Sequence, residues 1–444
     1  MLSLFSPAES LGQQLPLASV LPFALLLLAI ALLPLSAAHW WEQNRNKALV
    51  VFLLALPFAI YLFALGAEAH AALHEALLDY ASFLALLGSL YVISGGIHIK
   101  GSLAGSPLSN TTFLAIGAVL ANLIGTTGAS MVLIRPLLRA NVTRRDKAHV
   151  VVFFIFVVSN CGGLLTPLGD PPLFLGFLKG VPFAWTLLLW KQWLFVNGLL
   201  VAIFYVVDGY IFEREELARP GSQLEQVLQH EPLRVEGLHN IALLLCIVGV
   251  ILGKGSNQWP FGVQEGLMLV LTLVSWFGTQ PALHAANRFS FAPIVEVALL
   301  FLGIFVTMVA PLQILNARGA ELGITQPWQY FWATGALSSF LDNAPTYMTF
   351  GATAAGQLGV SVDSPHYLAE FLARGPAAAE ILAAISCGAV MMGANTYIGN
   401  GPNFMVKAIA ESSGIKMPSF FHYMFWSGLV LLPVFLATTL LFFR

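Results

Sequence analysis

The sequence predicts an all-α polytopic membrane protein: about ten transmembrane helices in two inverted repeats, each with a re-entrant hairpin and a broken helix. Three observations predict it. Of 444 residues, 58% are hydrophobic and only 9% charged, with a mean hydropathy of +0.80, whereas soluble domains carry roughly a quarter charged residues. Apolar stretches close to the ~20 residues that cross a hydrocarbon core recur along the whole chain. One pattern, T-x-[LI]-G-[DN]-x-P-x-F, occurs twice, at Thr166–Phe174 and at Thr396–Phe404.

The N-terminus lacks the Lys/Arg cluster of a cleaved signal peptide, although Leu35-Ser36-Ala37-Ala38 loosely resembles a cleavage site, so 16–38 is expected to be a retained first span. Arg45 and Lys47 then place the next loop on the cytoplasmic side, because short loops rich in Lys and Arg stay inside. After the span 48–65, loop 66–80 carries Glu68, Glu75 and Asp79 without Lys or Arg and belongs outside. His70 and His74 in that loop could share a helix face, but no third metal ligand is in view. The span 81–98 returns to the inside, where His98 and Lys100 should snorkel.

Segment 111–138 is interrupted at Asn122-Leu-Ile-Gly125-Thr126-Thr127-Gly128 and is followed by Arg139, Arg144, Arg145 and Lys147. Both of its flanks are therefore cytoplasmic, as in a hairpin. A broken helix, 149–178, and the span 186–208 complete a first repeat, 1–208. The charged stretch 209–237 reads as a cytoplasmic linker, a solvated surface helix. The second repeat, 238–444, has spans at 238–253, 262–277 and 291–310, then an external loop, 311–328. Hairpin 329–353 follows, interrupted at Asp342-Asn343-Ala-Pro345-Thr346, then broken helix 376–404, a cytoplasmic loop with Lys407 and Lys416, and span 421–443. An odd number of crossings separates the repeats, which inverts them and leaves both termini outside a cell (inner) membrane.

Non-helical backbone persists at membrane depth only where protein or water covers it. Gly169, Pro171 and Pro172 force a break in the first repeat, and Gly399, Gly401 and Pro402 force one in the second. Unwound turns between half-helices are how inverted-repeat transporters bind small ions and anions near the bilayer midplane. The side chains expected there are oxygen donors: Asn122, Thr126, Thr127, Asn160, Thr166, Asp170, Asp342, Asn343, Thr346, Asn395, Thr396 and Asn400, with Ser130 and Asn403 close by. Such a set suits an alkali cation and not a transition metal. An intramembrane carboxylate is a functional candidate by default, and Asp170 and Asp342 can each hold a proton or a cation in turn. The competing structural roles are helix caps at both aspartates. Glu296 is either a site residue or an interfacial acid, Arg135 should find a carbonyl or carboxylate, and Glu380 should be interfacial.

Several classes are disfavoured. A formal charge of −2 shows no basic excess for nucleic acid. Cys161, Cys246 and Cys387 lie inside apolar stretches and offer no disulfide framework or CxxC pair. No HExxH, GxxxxGK[ST] or G-x-S-x-G motif points to an enzyme, and no cofactor is expected beyond the transported ions.

At Asn122–Asn141, Ser159–Leu178, Ser338–Phe350 and Gly393–Phe404 the sequence resembles the ion transporter superfamily, within it the NhaD-type sodium:proton antiporters and their citrate-transporter-like relatives. The resemblance implies a homodimer, with a scaffold domain at the dimer contact and a transport domain that moves in elevator fashion, and a Na+ or Li+ site at the hairpin tips. Carboxylate transporters of the superfamily use Ser-Asn-Thr tips. Here the tips read Asn122…Gly125-Thr126-Thr127 and Asp342-Asn343-Ala344-Pro345-Thr346, a departure that favours proton-coupled exchange. The leading expectation is Na+(Li+)/H+ antiport. The alternative is Na+- or H+-coupled transport of citrate or another small organic anion, and an intramembrane enzyme using two aspartates is a remote third.

Overall fold

A computed structural model describes residues 10–102, 104–221, 231–257 and 259–444. In chain order the principal helices are α1 (Leu21–Ser36), α2 (Asn44–Leu65), α3 (Ala67–Gly95), α4 (Pro107–Ala140), α5 (Ala148–Val157), α6 (Pro171–Leu178), α7 (Trp190–Ala218), α8 (Leu238–Asn257) and α9 (Val263–Gly278). They continue with α10 (Ala292–Thr307), α11 (Val309–Arg318), α12 (Pro327–Ser338), α13 (Asn343–Gln357), α14 (Pro376–Met392), α15 (Gly401–Ser412) and α16 (Phe420–Phe442). Among the described residues seven helical segments are long and apolar enough to cross a membrane, or eight if Ala292–Thr307 and Val309–Leu322, bent by 40°, form one span. Large apolar side chains face outward along α2 and α16, for example Leu53, Phe63, Phe425 and Leu429, all more than 60% exposed. Exposed apolar surface on that scale is what a lipid-embedded protein presents.

The ten expected spans are therefore redistributed. Segments 149–178, 238–253 and 262–277 form shorter apolar helices, and 291–310 bends at Met308 into α11. Loop 66–80 is helix: after Gly66, at φ +119°, α3 runs for 29 residues. The Ala-, Leu- and Glu-rich run Ala67–Leu78 favours helix regardless of its charge, so the helix projects beyond the apolar stretch. In linker 209–237, α7 extends to Ala218 and residues 222–230 lie outside the described set. Strand β1 (His98–Ser102) pairs antiparallel with β2 (Glu231–Glu236), Lys100 opposite Arg234, so the all-α prediction is amended by one small sheet. His98 and Lys100 lie in that sheet, and His98 Nδ1 contacts Asn287 Oδ1 at 2.8 Å.

α4 cannot be one straight helix. Thirty-four helical residues would span about 51 Å, yet Asn110 and Asn141, at opposite ends of the segment, exchange side-chain hydrogen bonds of 2.9 and 2.8 Å. The chain folds back at Gly125, whose φ of +76° and ψ of 156° are open to glycine and not to a residue with Cβ. The feet of this hairpin are tied to α7. Arg144 Nη1 and His149 Nε2 reach Asp208 Oδ1 at 2.5 and 2.7 Å, and Asn110 Nδ2 donates to Asp208 Oδ2 at 3.0 Å. α12 and α13 form a second hairpin, turning through 339–342 and closed at its far end by Tyr330 Oη donating to Gln357 Oε1 at 2.8 Å.

Between α5 and α6 the chain passes through a 3-10 turn, Cys161–Leu164, and unwinds to Asp170. Between α14 and α15 it repeats that course through Gly393–Asn395 and unwinds to Asn400. Proline in the first turn starts both half-helices, where its missing N–H costs nothing. In each break two glycines cross in backbone contact. A Cβ on Gly169 would lie 2.1 Å from Gly163 O, and one on Gly399 would lie 2.5 Å from Gly393 O.

Candidate functional site: a carboxylate where four broken elements meet

Each hairpin tip is seated on the break of its own half by the same bond. Thr166 Oγ1 donates to Asn122 O at 2.5 Å, and Thr396 Oγ1 donates to Ser339 O at 2.5 Å. Asn122 Oδ1 accepts from the Leu165 N–H at 2.7 Å, and Ser339 Oγ accepts from Asn395 Nδ2 at 2.9 Å. The Thr126 N–H adds a bond to Gly169 O at 2.8 Å. These contacts make Asn122 the counterpart of Ser339, and Thr126, four residues on, the counterpart of Asn343. Asn122 and Asn343, the asparagines of the two interruptions, therefore do not hold equivalent places.

Asp170 stands at the convergence. It is 1% exposed, and although it occupies the N-cap position of α6 its side chain caps nothing. Its Oδ1 accepts from Thr126 Oγ1 at 2.8 Å and from Asn400 Nδ2 at 3.2 Å, and its Oδ2 accepts from Asn343 Nδ2. The carboxylate of the first break thus takes one donor from the first hairpin, one from the second hairpin and one from the second break. Behind it lies an amide relay. Asn400 Nδ2 also reaches Asn160 Oδ1 and Ser159 O at 3.2 Å, and Asn160 Nδ2 donates to Asn403 Oδ1 at 2.7 Å. Asn403 Nδ2 donates in turn to Gly393 O and Thr396 O, both at 2.9 Å. Ser130 and Ser159 share a 2.7 Å hydroxyl bond alongside.

Among the described residues no Lys, Arg or His bonds to Asp170. Two amide oxygens of the second half, Asn343 Oδ1 and Asn395 Oδ1, are buried without a partner. An orphaned buried acceptor costs ~1–3 kcal/mol, and an uncompensated buried carboxylate costs several kcal/mol more. A proton on Asp170 would remove the second of these costs.

A protein-family model described as "Putative citrate transport" matches residues 12–443. The chain belongs to that family. Its description marks a transport protein, as the likeness to citrate-transporter-like proteins implies, and a transport role carries no catalytic requirement. A search of curated proteins finds no match.

In this citrate transport family member the remaining expected residues are not among the groups bonded to Asp170. Half-buried Asp342 accepts the Ala344 N–H at 3.0 Å and so caps α13, within electrostatic range of Asp170 but bonded to none of its donors. Thr346 Oγ1 donates to Asp342 O at 2.9 Å, bracing that cap. Thr127 lines a cavity of about 60 Å³ with Tyr91 and Pro293, between the first tip and helices α3 and α10. Glu296 pairs with Lys47 at 2.7 Å, and Glu380 is exposed. Arg135 is half-buried with Nη1 unpartnered, without the expected acceptor on that nitrogen. Ser339 was missed because the second tip was read as starting at Asp342. Its signal was the pair Ser338-Ser339 three residues upstream.

Capping predicts a mild phenotype at Asp342. Asparagine caps as well as aspartate does, so Asp342→Asn should keep the thermal midpoint, while Asp342→Ala should lose about 1 kcal/mol of stability. Thermal unfolding of both purified variants checks this.

Proposed function

We propose that the chain is a secondary transporter whose coupling ion sits at Asp170, and that it exchanges Na+ or Li+ for H+. The observation that carries the reading is the Asp170 carboxylate gathered by Thr126, Asn343 and Asn400 with no cationic side chain bonded to it among the described residues. A cation there would take oxygen from Asp170, Thr126 and the free Asn343 Oδ1; a proton would neutralise the carboxylate and leave its hydrogen bonds in place. The two cannot bind together, and that exclusion is the simplest basis of exchange. We assign Asp342 a secondary part, tuning the field at Asp170 from the tip of α13. In the same reading the two halves are inverted repeats, the hairpins re-enter from opposite faces of a cell (inner) membrane with both termini outside, and a homodimeric scaffold supports elevator-like movement of the hairpins and breaks. The corresponding domains are 1–208 and 238–444, joined by 209–237.

The family description favours a second cargo, citrate or another small organic anion carried with Na+ or H+. Proteoliposomes separate the two. Under exchange, Na+ added outside dissipates a preset inward-acid pH gradient with no organic anion present. If dissipation requires citrate, the second reading replaces the first.

Competition also fixes the sign of the pH dependence. Below the pKa of the site, each unit of rising pH should lower the apparent KM for Na+ by about tenfold, and above it KM should level off. Initial Na+-driven proton flux across a pH series gives the slope, and a KM that does not move with pH would exclude competition.

A further inference from the structure

α6 carries Asp170 immediately before its first residue and Lys179 immediately after its last, and its eight residues span only about 12 Å. The site and this lysine therefore move as one piece. The Lys179 ammonium, on a residue 7% exposed, lies between Glu75 Oε1 at 2.5 Å and Asp79 Oδ2 at 2.6 Å, two carboxylates four residues apart on one face of α3. Its main chain is held separately, by the Leu368 N–H donating to Lys179 O at 3.1 Å. The three ionic groups border a cavity of about 290 Å³ that Asp363 and Tyr367 also line. The Tyr367 hydroxyl, on a residue 1% exposed, has no hydrogen-bond partner and offers an acceptor within the same cavity. Nothing in the exchange reaction uses this cluster.

We propose that Lys179, Glu75 and Asp79 form a latch between the Asp170-bearing half-helix and α3, released once in each transport cycle, with the Tyr367 hydroxyl as the acceptor that receives the freed ammonium. The latch rests on the transport reading above and adds to it the residues that set turnover. A binding site that alternates between two faces must shift against the helices beside it. A shift of a few ångströms along α3 carries Lys179 Nζ beyond 4 Å from both carboxylates, since α6 is too short to absorb it. The ammonium and the two carboxylates of the latch offset one another's burial, so breaking it transiently costs desolvation unless the ammonium finds another oxygen. Lys179 is a positioning residue: it acts on rate through α6 and does not touch the cargo.

The test places cysteines at Asp79 and Lys179 in a Cys246→Ser background, Cys161 and Cys387 being buried. A short, reducible bifunctional thiol reagent bridges them, and Na+ protection against thermal unfolding is read beside Na+-driven proton flux. The latch predicts that bridging lowers kcat more than tenfold with the Na+ protection midpoint held within twofold, and that reductant restores flux. The neutral triple variant Glu75→Gln, Asp79→Asn, Lys179→Met should keep KM within twofold and change kcat at least threefold. Tyr367→Phe should slow kcat in the otherwise unchanged protein. Full flux in the bridged protein overturns the latch while leaving a defect at Asp170 to support transport. Normal flux in Asp170→Asn with a bridge that still blocks would instead overturn the site reading.

Discussion

Asp170→Asn abolishes cation-driven flux, with an expected loss of at least about a hundredfold, equivalent to ~2.7 kcal/mol of barrier. Asparagine has nearly the shape of aspartate, its Oδ1 can still accept from Thr126 Oγ1, and its Nδ2 can donate to the free Oδ1 of Asn343 once that amide turns over, so the hairpin tips and breaks stay assembled. What disappears is the single formal charge in a cage whose other members are Thr126, Asn343, Asn400 and the amide relay through Asn160 and Asn403. Without that charge the site neither holds a proton at any working pH nor attracts a cation. The variant should unfold no more easily than the wild type, because removing an uncompensated buried carboxylate removes a cost. Na+ should raise the thermal midpoint of the wild type by preferential binding to the folded state and leave that of Asp170→Asn unmoved. Flux in proteoliposomes and thermal unfolding with and without Na+ check both halves. An Asp170→Asn protein that still moves protons on addition of Na+ would remove the carboxylate from the mechanism.

The breaks were legible because their determinants are local and occur twice. Pro171 with Pro172, and Pro402, stop a helix from continuing through them whatever packs around them, and Gly169 and Gly399 stand just before; Gly401, also expected to force a break, is instead the first residue of α15. The first hairpin was legible from charge on both of its flanks. Its turn residue, Gly125, sits within the interruption read from composition. The partners of Asp170 were legible as a set and not as an arrangement. That Thr126 and Asn343 occupy matching places on two tips follows from Thr166 and Thr396 docking on Asn122 O and Ser339 O, contacts made across the fold. Hydropathy misplaced the boundaries of α3 and α7 for a different reason: it reports where a helix can lie in lipid, and not where a helix stops. The pairing of β1 with β2 joins segments more than 120 residues apart, and neither is apolar or long enough to announce itself.

Gly169→Ala tests the breaks with an effect of similar size. The added Cβ would lie 2.1 Å from Gly163 O and 2.7 Å from Gly163 C, and both are backbone atoms that no rotamer change can move aside. Separation of the two strands of the break is the only relief, and it displaces Asp170, the next residue in the chain. Overpacking of this kind costs ~1–3 kcal/mol or more, and a displacement of ~1 Å at a binding group costs about a hundredfold in rate. Gly401→Ala is the matched control in the second break. Its Cβ meets nothing within 4 Å, and it lies in the first turn of α15, where alanine is favoured over glycine. The pair separates two meanings of glycine at one motif: at 169 the residue is required because two backbones touch, and at 401 it is tolerated. Gly169→Ala should yield aggregated or inactive protein and Gly401→Ala a thermal midpoint at or above that of the wild type, read by size-exclusion chromatography and thermal unfolding in detergent. Equal behaviour of the two variants would mean that the crossing of Gly163 and Gly169 does not hold the first break in shape. The position of Asp170 would then depend on the hairpin tips alone.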